Sequence, residues 1–339
     1  MLHLDGSLGE GGGQVLRTAL GLSLCTGQPF AIDRIRAGRK NPGLARQHLT
    51  AVLAAAAVGN ADVGGAELGS TSLQFRPRGI RGGAHRFAVG TAGSTTLVLQ
   101  TVLPALLRAA EPSTLSLAGG THNPLAPSFD FLQQVFAPVL RRMGAQLDLR
   151  LVRHGFAPAG GGEFRADVTP GPLAPIELRH RVAGRPHRAR ALLANLPDRI
   201  GERELQVVRQ RLGLDADHCR LERVAAAGPG NVLLLELPAE PCGELIAVPG
   251  ERQVTAEQVA ERACAAASAW LAADVPVGEH LADQLLIPLA LAGGGAFRTL
   301  APTEHTRTNA AIVEHFLPVR FTLREDERAG AWWIEAAGR

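Results

Sequence analysis

The sequence predicts an α+β fold in which one helix–strand plan occurs three times and a smaller α+β domain is inserted into the third copy. Three observations predict it. A glycine-rich turn, an apolar helix, a short strand, a polar loop and a second helix recur in that order. Gln14 and Gln100, each inside the first helix of a copy, lie 86 residues apart, whereas Gln284 follows only after a much longer interval. The extra length, about 182–275, carries helix and strand patterns of its own.

The first copy opens on Gly9-Glu10-Gly11-Gly12-Gly13-Gln14 and enters a helix that ends near Thr26. A strand over Phe30 to Ile35, the loop Gly38-Arg39-Lys40-Asn41-Pro42 and a helix from Leu44 to about Val58 follow. The second copy begins at Gly90-Thr91-Ala92-Gly93-Ser94, with a helix from Thr95 to Ala109 and a strand from Ser113 to Leu117. Gly120-Thr121-His122-Asn123-Pro124 then leads to a helix from Ser128 to Met143. The third begins at Gly278, with a helix to about Leu291, a strand from Ala296 to Leu300 and the loop Pro302 to Thr306. A helix from Asn309 to Phe316 and strands at Val319 to Leu323 and Trp332 to Glu335 close it.

Within the insertion, a helix is expected from Asp198 to Leu212 and strands at Arg220 to Val224 and Val232 to Leu237, with a turn at Gly228-Pro229-Gly230. Thr255, followed three residues later by Gln258, signals a capping box and a helix to about Ala272. The domain assignment is therefore 1–181 with 276–339 as the main body and 182–275 as the insert. Arg179, His180, Arg181, Arg185, His187, Arg188 and Arg190 crowd the insert's entry and read as a solvated linker, with an RNA-binding arm as the alternative.

A helix pair that cannot bury both faces alone must pack on a sheet. Three such units in pseudo-threefold array would bring three glycine-rich helix starts towards one cleft, where unpaired N–H groups attract anions.

The composition sets bounds on function. Hydrophobic residues make up 46 % of the 339 and charged residues 20 %, as in a globular enzyme. A net charge of +3 leaves a polyanion to be met by a local patch. Lys40 is the only lysine, a bias towards arginine that matters only where arginines cluster. Cys25, Cys219, Cys242 and Cys264 are too widely spaced for a zinc site or a redox pair. The first residues have no signal-peptide pattern, and stretches such as Ala51 to Val58 are too short to span a bilayer. We expect a reduced, cytoplasmic protein without a membrane partner, and nothing calls for an obligatory protein partner.

The glycine segment is not a dinucleotide fingerprint, since the glycines open the chain with no strand expected before them. Glu10 inside it could hold Mg²⁺ or Mn²⁺ against a phosphate, or could simply favour a helix start. Arg34, Arg36, Arg39, Lys40 and Arg46 place five cations in thirteen residues, with Asp33 the only acid nearby. The run reads equally as a solvated face or as phosphate recognition. Aromatic residues are only 4 % and Tyr is absent, so an extended stacking platform is not expected.

Of eleven histidines, His305 stands apart. Thr303-Glu304-His305-Thr306-Arg307-Thr308-Asn309 sits at a strand-to-helix transition among hydroxyls, an arginine and an amide. Neutral imidazole can attack phosphorus, and the resulting phosphoramidate leaves readily. No second histidine or cysteine at ligand spacing supports zinc there, and no G-x-S-x-G elbow supports hydrolysis by a serine.

Asp5-Gly6-Ser7 through Gly13-Gln14, Arg36 through Leu44, His280-Leu281-Ala282-Asp283-Gln284 and Glu304-His305-Thr306 together resemble the RNA 3′-terminal phosphate cyclases. The resemblance covers essentially the whole chain. It implies three units, each two helices on a four-stranded sheet, and an insert of thioredoxin-like topology. It implies that His305 forms a covalent AMP adduct, that Gln100 and His280, Leu281, Ala282, Asp283 and Gln284 contact ATP, and that Pro127 packs near the adenine. Glu10 matches a metal-binding carboxylate. Gln14, Arg17, Arg36, Arg39, Asn41 and Gln47 fall near the RNA end and its phosphates. His280 departs from a tyrosine found in some members.

The implied activity is ATP-dependent conversion of an RNA 3′-terminal phosphate to a 2′,3′-cyclic phosphate through an RNA-adenylate, with ATP and a divalent metal as cofactors. Two alternatives stand beside it. One is an inactive cyclase-like ribosome-assembly factor, which would lack the histidine. The other is a small-molecule enzyme similar to the enolpyruvyl transferases, which needs neither His305 nor the cationic loop.

Overall fold

The computed structural model describes residues 1–327 and 330–338. Its strands form four four-stranded sheets and a two-stranded ribbon, a mixed α+β architecture. The first sheet has the order Leu2–Asp5, Phe30–Asp33, Leu73–Arg76, Asp62–Gly64, with the first pair parallel and the others antiparallel. Gly83–Ala88, Ser113–Gly119, Gly162–Thr169 and Gln146–Arg153 form a second sheet with the same order and senses. So do Glu177–Leu178, Gly294–Thr299, Trp332–Gly338 and Val319–Glu325.

The helix Gln14–Thr26 connects the first parallel pair and packs on the helices Thr95–Leu106 and Glu304–Phe316. It buries nine residues, including Val15, Leu16, Ala19, Leu20 and Leu22, which explains its largely apolar sequence. Such a helix belongs in an interior, not on a surface. Being central, it carries its polar N-terminal residues, Gln14 and Arg17, into the middle of the molecule.

The fourth sheet, Cys219–Arg223, Arg188–Ala194, Gly230–Leu237 and Glu244–Pro249, is covered by the helices Arg199–Leu212 and Ala256–Ala273. It has its own core around Trp270, Val208, Leu233 and Leu235. The capping box at Thr255 and Gln258 forms as the sequence predicts. The basic run at the entry divides: Arg179, His180, Arg185 and Arg188 are exposed, as a solvated linker would be, whereas Arg181 and Arg190 turn inward. Arg179 pairs with Glu177, Arg181 with Asp274 at 3.2 Å, and Arg190 with Asp130, Glu222 and Glu236 at 3.0–3.3 Å. Arg190 joins this sheet to Asp130, beyond the second glycine turn.

Three sequence expectations need correction. The strand Leu2–Asp5 precedes the glycines, and it was missed because only Leu4 of it is buried. The helix holding His305 starts at Glu304 rather than Asn309, because the Thr303 hydroxyl accepts the Thr306 N–H at 3.2 Å and caps it. The helix after Ser128 is interrupted by a π-helical stretch at Leu132–Phe136. No described helix is long and apolar enough to cross a membrane.

Candidate active site

The glycine segment is shaped by close backbone contact. Asp5 Oδ1 accepts the N–H and hydroxyl of Ser7 at 2.9 and 2.6 Å, turning the chain out of its strand. Gly9 and Gly11 take left-handed φ of 61° and 55°. A Cβ on Gly9 would lie 2.2 Å from Thr308 Oγ1, and one on Gly11 would lie 2.8 Å from Gly38 N. The segment is therefore wedged between the His305 helix and the cationic loop. Glu10 is thereby delivered to the junction of both.

At that junction stands His305, the second residue of its helix. Its Nε2 lies 3.1 Å from Glu10 Oε2, and the two side chains are 41 % and 46 % exposed. Its Nδ1 lies 2.5 Å from Gln14 Oε1. The Gln14 amide nitrogen donates to Asp283 Oδ1 at 2.8 Å and to the His305 carbonyl at 3.1 Å. Both of those partners only accept, so the Gln14 oxygen must face the ring and Nδ1 must carry a proton. Nε2 faces the Glu10 carboxylate, itself an acceptor, so it offers a lone pair only when Glu10 is drawn off it.

Asp283 is partly buried, and desolvation raises its pKa against the opposing effect of His305, Asn309, Arg17 and His280. Arg17 is partly buried as well, and desolvation lowers its pKa to about 10, which leaves it charged. Gln14, Arg17, Gln100, Asp283 and Gln284 line a cavity of about 100 Å³ together with Leu103, Leu107 and Leu140. Gln100 hydrogen-bonds Gln284 there.

The other expected residues divide. Leu281 and Ala282 bury their side chains in the core and so can offer a ligand only backbone, while the His280 side chain is exposed. The carbonyl of Pro127 accepts from Thr96 Oγ1 at 2.8 Å, and Pro127 is not among the cavity's lining residues. The Gln47 oxygen accepts the Ser94 N–H at 2.7 Å, tying the first cationic-loop helix to the second glycine turn.

Arg36, with φ of 56°, folds back so that Nη1 donates to the carbonyls of Asn41 and Gly43 at 2.9 and 2.7 Å. It braces the loop at least as much as it faces outward. Arg39 is half exposed, with Nη2 3.6 Å from Glu10 Oε2. Arg34 pairs with Asp5, so Asp33 is not the acid that matters beside this run.

His48 was missed by the sequence reading. A Cβ on Gly13, the N-cap of the Gln14–Thr26 helix, would lie 2.1 Å from His48 Nε2 and 2.8 Å from Arg17 Nη1. Burial, then Arg17, Arg36 and Arg39, hold His48 neutral by lowering its pKa to about 3. Its only signal was its place directly after Gln47. Thr18 and Asn309, also unassigned, are buried in the contact between their two helices.

Among the described residues no group of three or more His, Cys, Asp or Glu side chains could hold a metal ion. Glu10 offers one carboxylate, which suits a hard cation completing its shell with water and phosphate oxygens.

The chain matches the family model described as RNA 3'-terminal phosphate cyclase over residues 8–323. It is 55 % identical over 325 residues to the RNA 3'-terminal phosphate cyclase of Pseudomonas fluorescens, covering 96 % of this chain and 94 % of that one. The cyclase of Koribacter versatilis is 52 % identical over 329 residues, covering 96 % and 93 %. That of Ralstonia nicotianae is 51 % identical over 330 residues, covering 97 % and 95 %.

Proposed function

The chain belongs to the RNA 3'-terminal phosphate cyclase family, and from that premise we propose that it uses ATP to convert RNA 3′-terminal phosphates to 2′,3′-cyclic phosphates through a covalent adduct on His305. The observation that carries this reading is the orientation of one ring. Nδ1 is tied to Gln14, and Nε2 faces the half-exposed junction with Glu10 at the capped start of a helix.

In the first step the Nε2 lone pair attacks the α-phosphorus of ATP, a P–N bond forms, and the bond to pyrophosphate breaks. An oxygen of the RNA 3′-phosphate then takes AMP from His305, giving a phosphoanhydride. The neighbouring 2′-OH attacks the 3′-phosphorus, loses its proton, and releases AMP as the ring closes. The 2′-OH makes the last step specific for RNA. Arg39 and Arg17 offset charge that develops on the phosphates, and the rigid contacts around Gln14 supply positioning. A divalent ion held by Glu10 would neutralise phosphate charge.

The three sheets of shared order support reading the main body, 1–181 with 276–339, as three copies of one unit in pseudo-threefold array. The core between the fourth sheet and its two helices supports reading 182–275 as one inserted domain, of thioredoxin-like topology, whose other sheet face (Leu192, Val232, Leu234) joins the main core. Gln100, Asp283 and Gln284 would then face ATP, and Arg36, Arg39, Asn41 and Gln47 would surround the RNA end.

Incubation with ATP and Mg²⁺ or Mn²⁺, followed by intact mass measurement, tests the proposal. One added AMP that is lost in acid is the expected result. A mass unchanged by ATP would overturn the adduct.

A further inference from the structure

A histidine nucleophile needs more than a place; it needs its proton on the other nitrogen. Imidazole in water holds its proton on either nitrogen, so a site that uses Nε2 must fix the proton at Nδ1. In this chain the group on Nδ1 is a neutral amide, Gln14, which could present either its oxygen or its nitrogen to the ring, while the group facing Nε2 is the Glu10 carboxylate, which must leave that nitrogen before it can attack. Something must decide which.

The deciding contacts run inward, away from solvent. Gln14 Nε2 donates to Asp283 Oδ1 at 2.8 Å. The same Oδ1 accepts from Asn309 Nδ2 at 3.0 Å, and Asn309 Nδ2 also donates to the Asp283 carbonyl at 3.0 Å. This orientation turns Asn309 Oδ1 towards Thr18, whose hydroxyl donates to it at 2.8 Å. Thr18 and Asn309 are 7 % and 5 % exposed. Thr18 stands one turn beyond Gln14, and Asn309 one turn beyond His305. The chain of contacts therefore begins and ends on the same two helices and passes through Asp283 on a third.

We propose that Asn309, anchored by Thr18, is a positioning residue that keeps Asp283 an acceptor and, through Gln14, holds His305 as the Nδ1–H tautomer. The inference deepens the reading of His305 as nucleophile. Without the Thr18 hydroxyl, Asn309 Oδ1 is a buried acceptor with no partner, an unfavourable state that drives the amide to turn. Asp283 then loses one of the two N–H groups that stabilise its charge. A partly desolvated carboxyl that loses a donor takes a proton more readily. Protonated Asp283 can donate to the Gln14 oxygen, which turns the Gln14 amide and presents N–H to His305 Nδ1. The ring must then carry its proton on Nε2, where no lone pair remains for phosphorus.

The test compares Thr18→Val and Thr18→Ala, which lack the hydroxyl, with Thr18→Ser, which keeps it. ¹⁵N NMR of histidine-labelled protein at about pH 8, with His305→Ala to assign the signal, reads the His305 tautomer directly. Single-turnover AMP attachment across ATP concentrations separates maximal rate from half-saturation. We expect Thr18→Val and Thr18→Ala to shift His305 towards Nε2–H and to slow the maximal rate by roughly ten- to a hundredfold, as loss of a partner that fixes an imidazole does elsewhere. Half-saturation should move less than the maximal rate, and Thr18→Ser should restore both readouts. A wild-type tautomer in both hydroxyl-free variants overturns the relay. If His305→Ala still accepted AMP, the nucleophile reading would fail instead, while the NMR result would still decide the relay.

Discussion

The Nδ1–H of His305 meets the side-chain oxygen of Gln14 at 2.5 Å, across 291 positions of sequence. Gln14 is the first residue of its helix and His305 the second of its own, so two helix starts converge on one imidazole. Anionic groups brought there meet backbone N–H groups from both sides.

His305→Ala should abolish AMP attachment and RNA cyclisation. The ring is 41 % exposed, so stability should change by only about 0.5 kcal/mol. Intact mass after ATP exposure, with a melting curve, checks both parts. Normal labelling of the variant would remove His305 from the role.

For Glu10, two readings differ in what a metal titration shows. Its carboxylate lies between His305 Nε2 and Arg39, at 3.1 and 3.6 Å. If it holds a cation against phosphate, Glu10→Ala raises the metal concentration needed for AMP attachment, and Glu10→Asp raises it less. Identical metal curves, with only about 1 kcal/mol lost in stability, would return Glu10 to a helix-start role.

Arg39 and Arg36 should separate. Arg39→Ala is expected to weaken RNA use and flatten its salt dependence, while AMP attachment proceeds normally. Arg36→Ala should also lower the melting temperature, because Arg36 ties together the carbonyls of Asn41 and Gly43. Block of ATP labelling by Arg39→Ala would move this loop to the nucleotide site.

Stability should depend on pH at both ends of the range. Folded His48 takes a proton only near pH 3 and the free side chain near 6.5. Unfolding therefore takes up a proton between those values, and stability is complete above about 6.5 and falls as pH drops towards 3. Glu244, buried against Gly278, behaves oppositely: its pKa is raised from 4.5 to about 8. Its contribution is complete below 4.5 and is lost as pH rises through about 8. Melting temperature against pH should lose steepness on the acid side in His48→Gln and on the alkaline side in Glu244→Gln. Unchanged slopes would show that these groups titrate alike in both states.

By itself the sequence determined which segments become helices and where the reactive groups stand. The apolar run from Val15 to Leu24 marks a buried helix, and Thr255 with Gln258 marks a helix start, because periodicity and capping are local. It also supplied His305, Glu10 and the cationic loop as chemistry. It could not show that Asn309 continues the helix begun at Thr303, nor that Arg34 belongs to Asp5, nor that His48 lies under Gly13. Those are facts of close approach between distant segments. Periodicity tells which face of a helix is apolar, but not which neighbour fills it or which polar groups then meet at its end. Only the packing of the helices bearing Gln14, Asp283 and His305 decided that one amide would set the proton on one ring.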